Sequence, residues 1–522
     1  MSYNIIGYVD SDGKLYNKDE YGYLSSASPV NNNNTRAFKF NKDKGKLNNK
    51  YNRNNARPCL FLTKHSFPRL GGGLFLYTIM LDTDKLLTDL FQAYYDTRQH
   101  KRNTKSAVDF EMNYESKIID LRNDLVNGTY VISPSICFII QDPVQREVFA
   151  ADFRDRIVHH LIYNYIYEIF DRHFIYDSYS CRLEKGTHFG IKRVDHFIRS
   201  CTQNYTRDAY ILKLDIKGFF MHIDKHILFE KIKFFLSSFS KGGVPRSGGG
   251  FKNKLTIDCD FLINLIHQVI FHDSTKNCII KGKKTDRDGL PDDKSLFHSS
   301  KDTGLAIGNL TSQLFANVYL DSLDKYIKYE LGFSYYGRYV DDFIFIDTDK
   351  QKLLSVITKI KDFLSDKLHL TLHPKKIYFQ QYSKGVQFLG AYIKPHRTYI
   401  RKRTIGNFYK RIQIVNKSLC LRHLPSQREK NLSSFCKGGE PRSGGGFDKE
   451  LIQSVINSYL GILNHYKTFK IRKKVIGNFF NKFGNNFHFT KAYTKAIPNI
   501  RKLKESEVRK LYSQGYYSRL HK

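Results

Sequence analysis

Three short runs between residues 209 and 393 are built from β-type apolar residues: AYILKLDI (209–216), YVDDFIFI (339–346) and VQFLGAYI (386–393). Segments patterned for helix, such as QLFANVYLDSLDKYIKYEL, separate them, with apolar positions recurring every three to four residues. This alternation predicts an α/β or α+β architecture with a central antiparallel sheet. Upstream, an Asp/Thr start followed by Leu86, Leu87, Leu90, Phe91 and Tyr94 predicts that a helix opens the folded body near Met80. Beyond residue 400 the pattern turns helical and basic. LIQSVINSYLGILNHYKTFKIRKKVI (451–476) has apolar residues at helical spacing and Lys/Arg elsewhere, as a bundle facing nucleic acid would.

Two regions break the pattern. Residues 1–79 form an asparagine-rich leader with little apolar periodicity, the signature of a disordered segment. LSSFSKGGVPRSGGGF (236–251) recurs almost unchanged as LSSFCKGGEPRSGGGF (432–447). Its Gly-Gly, Pro and Gly-Gly-Gly punctuation predicts that neither copy is a packed element, and both read as loop insertions of one mobile sequence. No GK[ST] follows either copy, which argues against a phosphate-cradling loop.

Composition narrows the partners. The 522 residues carry 85 Lys and Arg against 50 Asp and Glu, a net charge of +35, so the surface should attract a polyanion, nucleic acid first. No 18-residue apolar run is present, so no membrane partner is expected. The eight cysteines stand singly, without CxxC or zinc spacing, which predicts reduced thiols and a cytoplasmic setting.

The chemistry centres on Asp341 and Asp342. Adjacent carboxylates repel by about 4 kcal/mol at roughly 4 Å and an effective dielectric near 20, and a metal ion resolves that repulsion. Flanked by β-type runs, the pair is predicted at the tip of a hairpin. Asp215, at another strand end in LKLDIKGFF, supplies the third hard oxygen ligand that two Mg²⁺ ions require for in-line phosphoryl transfer, with Mn²⁺ as a substitute.

YVDD after an aromatic strand, with LDIKGFF before it, resembles the active-site motifs of reverse transcriptases, and further motifs follow in order from about Met80 to the C-terminus. FRDRIVHHLI (153–162) and DSYSCRLEKGTH (177–188) resemble fingers segments, GLAIGNLTSQLFANVYLDSLD (304–324) the stretch before the YVDD hairpin, and LHLTLHPKKIYF (368–379) the lysine-bearing segment after it. The resemblance implies an α+β right-hand polymerase: fingers after an N-terminal extension (80–208), a palm whose antiparallel sheet carries the YVDD hairpin (209–400), and a basic helical thumb (401–522).

It also implies roles. Asp215, Asp341 and Asp342 would be catalytic, joined as metal ligands by Ile216. Arg182, Phe220, Ile307, Gly308, Gln313, Lys375 and Lys376 would bind the nucleotide, with Phe220 a gate against the 2′-hydroxyl and Arg182 facing the triphosphate. Phe388, Leu389 and Gly390 would form the primer grip. RNA template, primer, cDNA, dNTPs and a small basic accessory protein are the implied partners.

IGNLTSQ (307–313) resembles the form found in diversity-generating retroelements, whose enzymes err at template adenines. An isoleucine at 307 cannot hydrogen-bond nucleotide or template as a glutamine can. The leader is then also similar to lectin-like variable proteins, as template-repeat sequence read in frame. Group II intron, retron and phage-defence enzymes share the same palm; the last 75 residues hold no cysteine, which speaks against an intron-type zinc endonuclease domain. A non-catalytic RNA-binding maturase is disfavoured by the three intact aspartates.

Overall fold

The computed structural model describes residues 82–99, 104–141, 144–240, 257–420, 449–483 and 487–498, with five short strands inside the first 48 residues. Two compact units divide the chain, residues 1–77 and 78–522. In the first, β1 (Tyr8–Val9), β2 (Leu15–Lys18) and β3 (Leu24–Ser26) pair antiparallel, and β4 (Lys39–Phe40) pairs with β5 (Leu47–Asn48). The rest of the asparagine-rich leader lies outside the described residues, as do 241–256 and the whole second glycine-rich copy.

The second unit opens with α1 (Thr83–Arg98), where the Asp82 side chain accepts the Lys85 N–H at 3.0 Å and so caps the helix. Leu86, Leu90 and Tyr94 form its buried stripe. After α2 (Lys105–Glu111) and α3 (Tyr114–Asn127), strands β6 (Ile136–Ile140) and β7 (Arg146–Ala150) make an antiparallel hairpin. Then come α4 (Phe153–His173), α5 (Thr187–Cys201), β8 (Tyr210–Asp215), the single turn α6 (Phe219–His222), α7 (Lys225–Ser240) and α8 (Cys259–Phe271). Strand β9 (Ile279–Ile280) joins β6 in parallel.

Helix α9 (Leu310–Lys325) runs into a π-turn at Tyr326–Glu330 and leads to β10 (Tyr336–Tyr339) and β11 (Asp342–Asp347). Helix α10 (Lys350–Leu368) and β12 (Tyr378–Gln381) follow. The central sheet is fully antiparallel in the order β10-β11-β8-β12. A second sheet, β13 (Val386–Phe388), β14 (Ala391–Lys394) and β15 (Arg397–Ile400), leads into α11 (Lys402–Cys420), α12 (Lys449–Asn464), α13 (Phe469–Phe483) and a small hairpin, β16 (Phe487–Phe489) with β17 (Ala496–Pro498).

Both faces of the central sheet are covered, which is why its strands read as nearly continuous apolar runs. Leu212, Leu214, Phe343 and Phe345 point into one core with α4, α7, α9 and α10; Ile211, Ile344 and Ile346 alternate to the other face against α5 and β13. The last helices hold a separate core around Phe408, Ile456, Leu460 and Val475.

Two expectations are corrected. The first glycine-rich copy is not loop from its start, because Leu236–Ser240 complete α7 and Leu236 is fully buried. The 451–476 run forms two helices, separated at 465–468, where the Thr468 hydroxyl donates to the Leu463 carbonyl at 2.6 Å. Only Asp341 sits in the hairpin turn, since Asp342 is already the first residue of β11. Among the described residues no helix is long and apolar enough to cross a membrane, and Cys137, Cys181, Cys201, Cys259 and Cys278 are unpaired thiols.

Beneath the hairpin lies a fully buried ion pair. Arg338 on β10 donates from Nε and Nη2 to both oxygens of Asp324 on α9, at 2.8 and 2.6 Å, with both side chains at 0% exposure. Tyr336 donates its hydroxyl to the same carboxylate at 2.7 Å, and Arg338 Nη1 reaches the Val340 carbonyl at 2.9 Å. Backbone bonds from Arg338 N–H to Asp177 O and from Tyr179 N–H to Arg338 O tie residues 177–179 to the edge of β10. Asp324→Ala would strand the Arg338 charge in the core, so stability should fall by about 3–5 kcal/mol, read as a lowered urea midpoint; an unchanged midpoint would refute the pair's structural role.

A second buried group ties α4 to α9: His159 lies with Nδ1 2.7 Å from the Thr311 hydroxyl. Burial, helped by the positive neighbours His160 and Arg156, pushes its pKa down to about 3. The unfolded chain takes up this proton near pH 6.5 and the folded chain does not, so its contribution is complete above about 6.5 and lost as pH falls toward 3. Thermal melts of His159→Gln should therefore show a shallower loss of stability than wild type below about pH 6.5, by up to about 1.4 kcal/mol per pH unit; parallel curves would contradict the assignment.

Candidate active site

Strand β8 ends and β11 begins at the same edge of the sheet, and their register sets Asp215 directly opposite Asp342. Tyr339 pairs with Asp342, leaving Val340 and Asp341 as a two-residue turn. Val340 has φ 54°, a left-handed conformation that a β-branched residue adopts only under constraint, here the hydrogen bond from Arg338 to its carbonyl. Asp341 is half-buried, and its carboxyl is pushed up to about 7, first by burial, then by the Asp215 charge, then by Asp342. The Asp215 and Asp342 charges thus both act on the Asp341 carboxyl.

Two lysines partly neutralise this cluster. Lys376 Nζ lies 2.8 Å from Asp215 Oδ1, and Lys213 Nζ, one pleat back on β8, lies 3.0 Å from Asp342 Oδ1. Of the two lysines expected here, Lys376 is the one that reaches a carboxylate, while Lys375 is exposed with its backbone N–H donating to His373 Nδ1. Ile216, buried, pairs with Leu372 between backbone bonds from Lys217 N–H to Thr371 O and from His373 N–H to Asp215 O.

The nucleotide-side residues divide. Phe220 on α6 is half-buried, and it and Ile307 each pack against a small buried cluster of Cys137, Phe149, Met221 and Leu296. The Ile307 carbonyl accepts the Phe149 N–H at 2.8 Å. Gly308 has φ 131°, and a Cβ there would meet the Phe149 carbonyl oxygen at 2.8 Å, so both conformation and the approach to β7 demand glycine. Gln313 is exposed on the first turn of α9.

Arg182 does not join them. Its guanidinium donates to Asp171 Oδ1 and to the carbonyls of Asp171, Ile175 and Ser178, stacks over Phe174, and is 5% exposed. That environment pins residues 171–182 and holds the guanidinium on protein partners.

Phe388, Leu389 and Gly390 form the tight turn between β13 and β14, with φ 47° at Leu389 and 84° at Gly390. Phe388 is buried against the same core face as Ile344 and Ile346, and the Gly390 carbonyl accepts the Arg401 N–H at 3.1 Å just before α11. These three residues are therefore tied to the core of the central sheet through Phe388 and, through Gly390, to the residue that precedes α11.

Sequence reading missed Lys213, Arg338 with Asp324, and Arg146. The signal for Arg338 was an arginine inside a strand too apolar to leave it unpaired. Arg146, exposed at the start of β7, is close enough for its charge to act on the Tyr339 hydroxyl.

Residues 255–393 match the family described as Reverse transcriptase (RNA-dependent DNA polymerase). The match takes in Ile307, Gly308, Gln313, the Val340–Asp341 turn, Lys375, Lys376 and the 386–393 hairpin, whereas Asp215 lies before it. No curated protein matches the chain. Among solved structures it is similar to apo telomerase from Candida tropicalis, at 15% identity and TM-score 0.39 over 70% of this chain and 63% of that one. It is similar as well to telomerase from Candida albicans with a fragment of telomeric RNA, at 11% identity and TM-score 0.35 over 71% and 65%. The chain thus spans less than two thirds of these telomerases, and likenesses this loose carry no weight beyond the family match. The likeness to reverse transcriptases is thus carried by residues 255–393.

Proposed function

We propose that the protein is an RNA-directed DNA polymerase of a retroelement, extending a primer 3′-hydroxyl with dNTPs on an RNA template. The observation that carries this reading is the register that sets Asp342 against Asp215 with Asp341 in the adjoining turn. The central sheet is the palm, β6 and β7 with α4 and residues 177–188 are the fingers, and α11 to α13 are the thumb. The net charge of +35 suits the backbone of template and primer.

The donor set fits Mg²⁺. Among the described residues no three His, Cys, Asp or Glu side chains are drawn close enough to cage an ion unaided. Mg²⁺ is commonly held by one or two carboxylates, waters and substrate phosphates rather than by an all-protein cage, and hard carboxylate oxygens are its preferred ligands. Asp215, Asp341 and Asp342, with the Ile216 carbonyl, would hold two ions, which when bound lower the barrier to in-line phosphoryl transfer by offsetting charge on both oxygens. Lys376, already paired with Asp215, stands beside the carboxylates where a leaving pyrophosphate would need a proton or a counter-charge. Arg146, exposed and near Tyr339, takes over the triphosphate-facing role first assigned to Arg182. Phe220 and Ile307, both packed against one small core, offer bulk that would exclude a 2′-hydroxyl and an apolar surface that gives the base pair no hydrogen bond. This supports an error-prone enzyme of the diversity-generating type.

Sequencing cDNA made by the purified chain on a primed RNA, with Mg²⁺ and four dNTPs, tests the reading. Product with errors concentrated at template adenines is expected, and none from the Asp341→Ala/Asp342→Ala variant. Accurate cDNA would remove the diversity-generating assignment, and cDNA from the variant would remove these residues from catalysis. Separately, Phe220→Ala should raise ribonucleotide use relative to dNTPs by roughly tenfold or more, and an unchanged ratio in competition assays would return Phe220 to a packing role.

A further inference from the structure

Away from the carboxylate cluster, a cavity of about 220 Å³ opens between the start of α7, the end of α8 and the loop 296–306. It is below the roughly 300 Å³ at which pockets for drug-sized ligands begin, yet several times the ~30 Å³ share of one water. Its size suits a small ion.

Two lining groups lack the partners that burial demands. Lys225 is 5% exposed, and its ammonium, a donor of three hydrogen bonds, makes one to the Lys301 carbonyl at 3.1 Å. Of the carboxylates whose charge it feels, Asp273 lines the same cavity with one oxygen taken up by Thr275, and Asp302 lies outside the lining. Asp273 Oδ1 accepts from the Thr275 N–H and hydroxyl at 3.0 and 2.6 Å, and Asp302 faces His226 at 3.4 Å. His272, on the same wall, has its Nε2 buried without a hydrogen-bond partner. Burial holds this imidazole's pKa low, so the ring is neutral at pH 7 and able to present an N–H donor. The buried Ser274 hydroxyl completes a wall of donors around an under-compensated positive charge.

We propose that this cavity binds a small oxyanion of the phosphate class, held by the Lys225 ammonium and the His272 imidazole. The site stands independently of the polymerase reading. It lies behind the 303–306 segment, whose backbone bonds from Gly304 N–H to Ile223 O and from Leu305 N–H to Phe220 O form its front wall.

The test is equilibrium dialysis of the full chain with radiolabelled orthophosphate, and in a second arm pyrophosphate, at constant ionic strength with EDTA. EDTA removes metal ions through which the carboxylate cluster could hold phosphate, so the unaltered chain serves as the background. Saturable uptake at one site is expected, weakened roughly tenfold or more by Lys225→Gln, as for loss of one charge-assisted hydrogen bond. His272→Phe, which fills the cavity and leaves the lysine in place, should abolish uptake and decides the matter if Lys225→Gln fails to fold by circular dichroism. Orthophosphate binding alone would identify a single phosphate group as the ligand, and tighter pyrophosphate binding a diphosphate. No saturable uptake in either arm, or equal uptake in background and His272→Phe chains, would overturn the proposal.

Discussion

The arginine and aspartate buried beneath the hairpin set the conditions for everything at the end of the sheet. Removing both charges from water carries a large desolvation cost, and their mutual attraction offsets it only because the geometry is bidentate and the remaining donors find Val340 O, Ser178 Oγ and Asn317 Oδ1. What the pair supplies is register. A one-residue slip of β10 against β11 would turn Arg338 to the other face and undo the two-residue turn that holds Asp341. Because the same guanidinium bonds the Val340 carbonyl, the left-handed turn that presents Asp341 is held by the core rather than by its own propensity.

Elements set by local pattern were legible in advance. The runs at 209–216, 339–346 and 386–393 became β8, the β10–β11 hairpin and the β13–β14 hairpin, because a strand buried on both faces must be apolar at successive positions. Asp82 and the Leu86, Leu90, Tyr94 spacing likewise announced α1. Side-chain pairings between distant segments were not legible. Nothing local tells that Arg182 closes on Asp171 while Arg146 remains open toward Tyr339, since both are arginines in polar surroundings and only tertiary placement distinguishes them. Leu236 shows the same limit from the other side: the glycines and proline that follow it signal a loop, yet burial against the helical core extends α7 through Ser240.

Charge compensation at the sheet end is incomplete by one. Asp342 has Lys213 and Asp215 has Lys376, each within 3.0 Å, at the margin of an apolar core. Among the described residues Asp341 shows no such ion pair, and burial first, then the Asp215 and Asp342 charges, push its carboxyl up to about 7. Further positive charge at this end of the sheet would act first on that carboxyl. The strained turn, the buried pair beneath it and the two flanking lysines thus converge on one physical result: a carboxylate cluster held together by the fold but left one positive charge short.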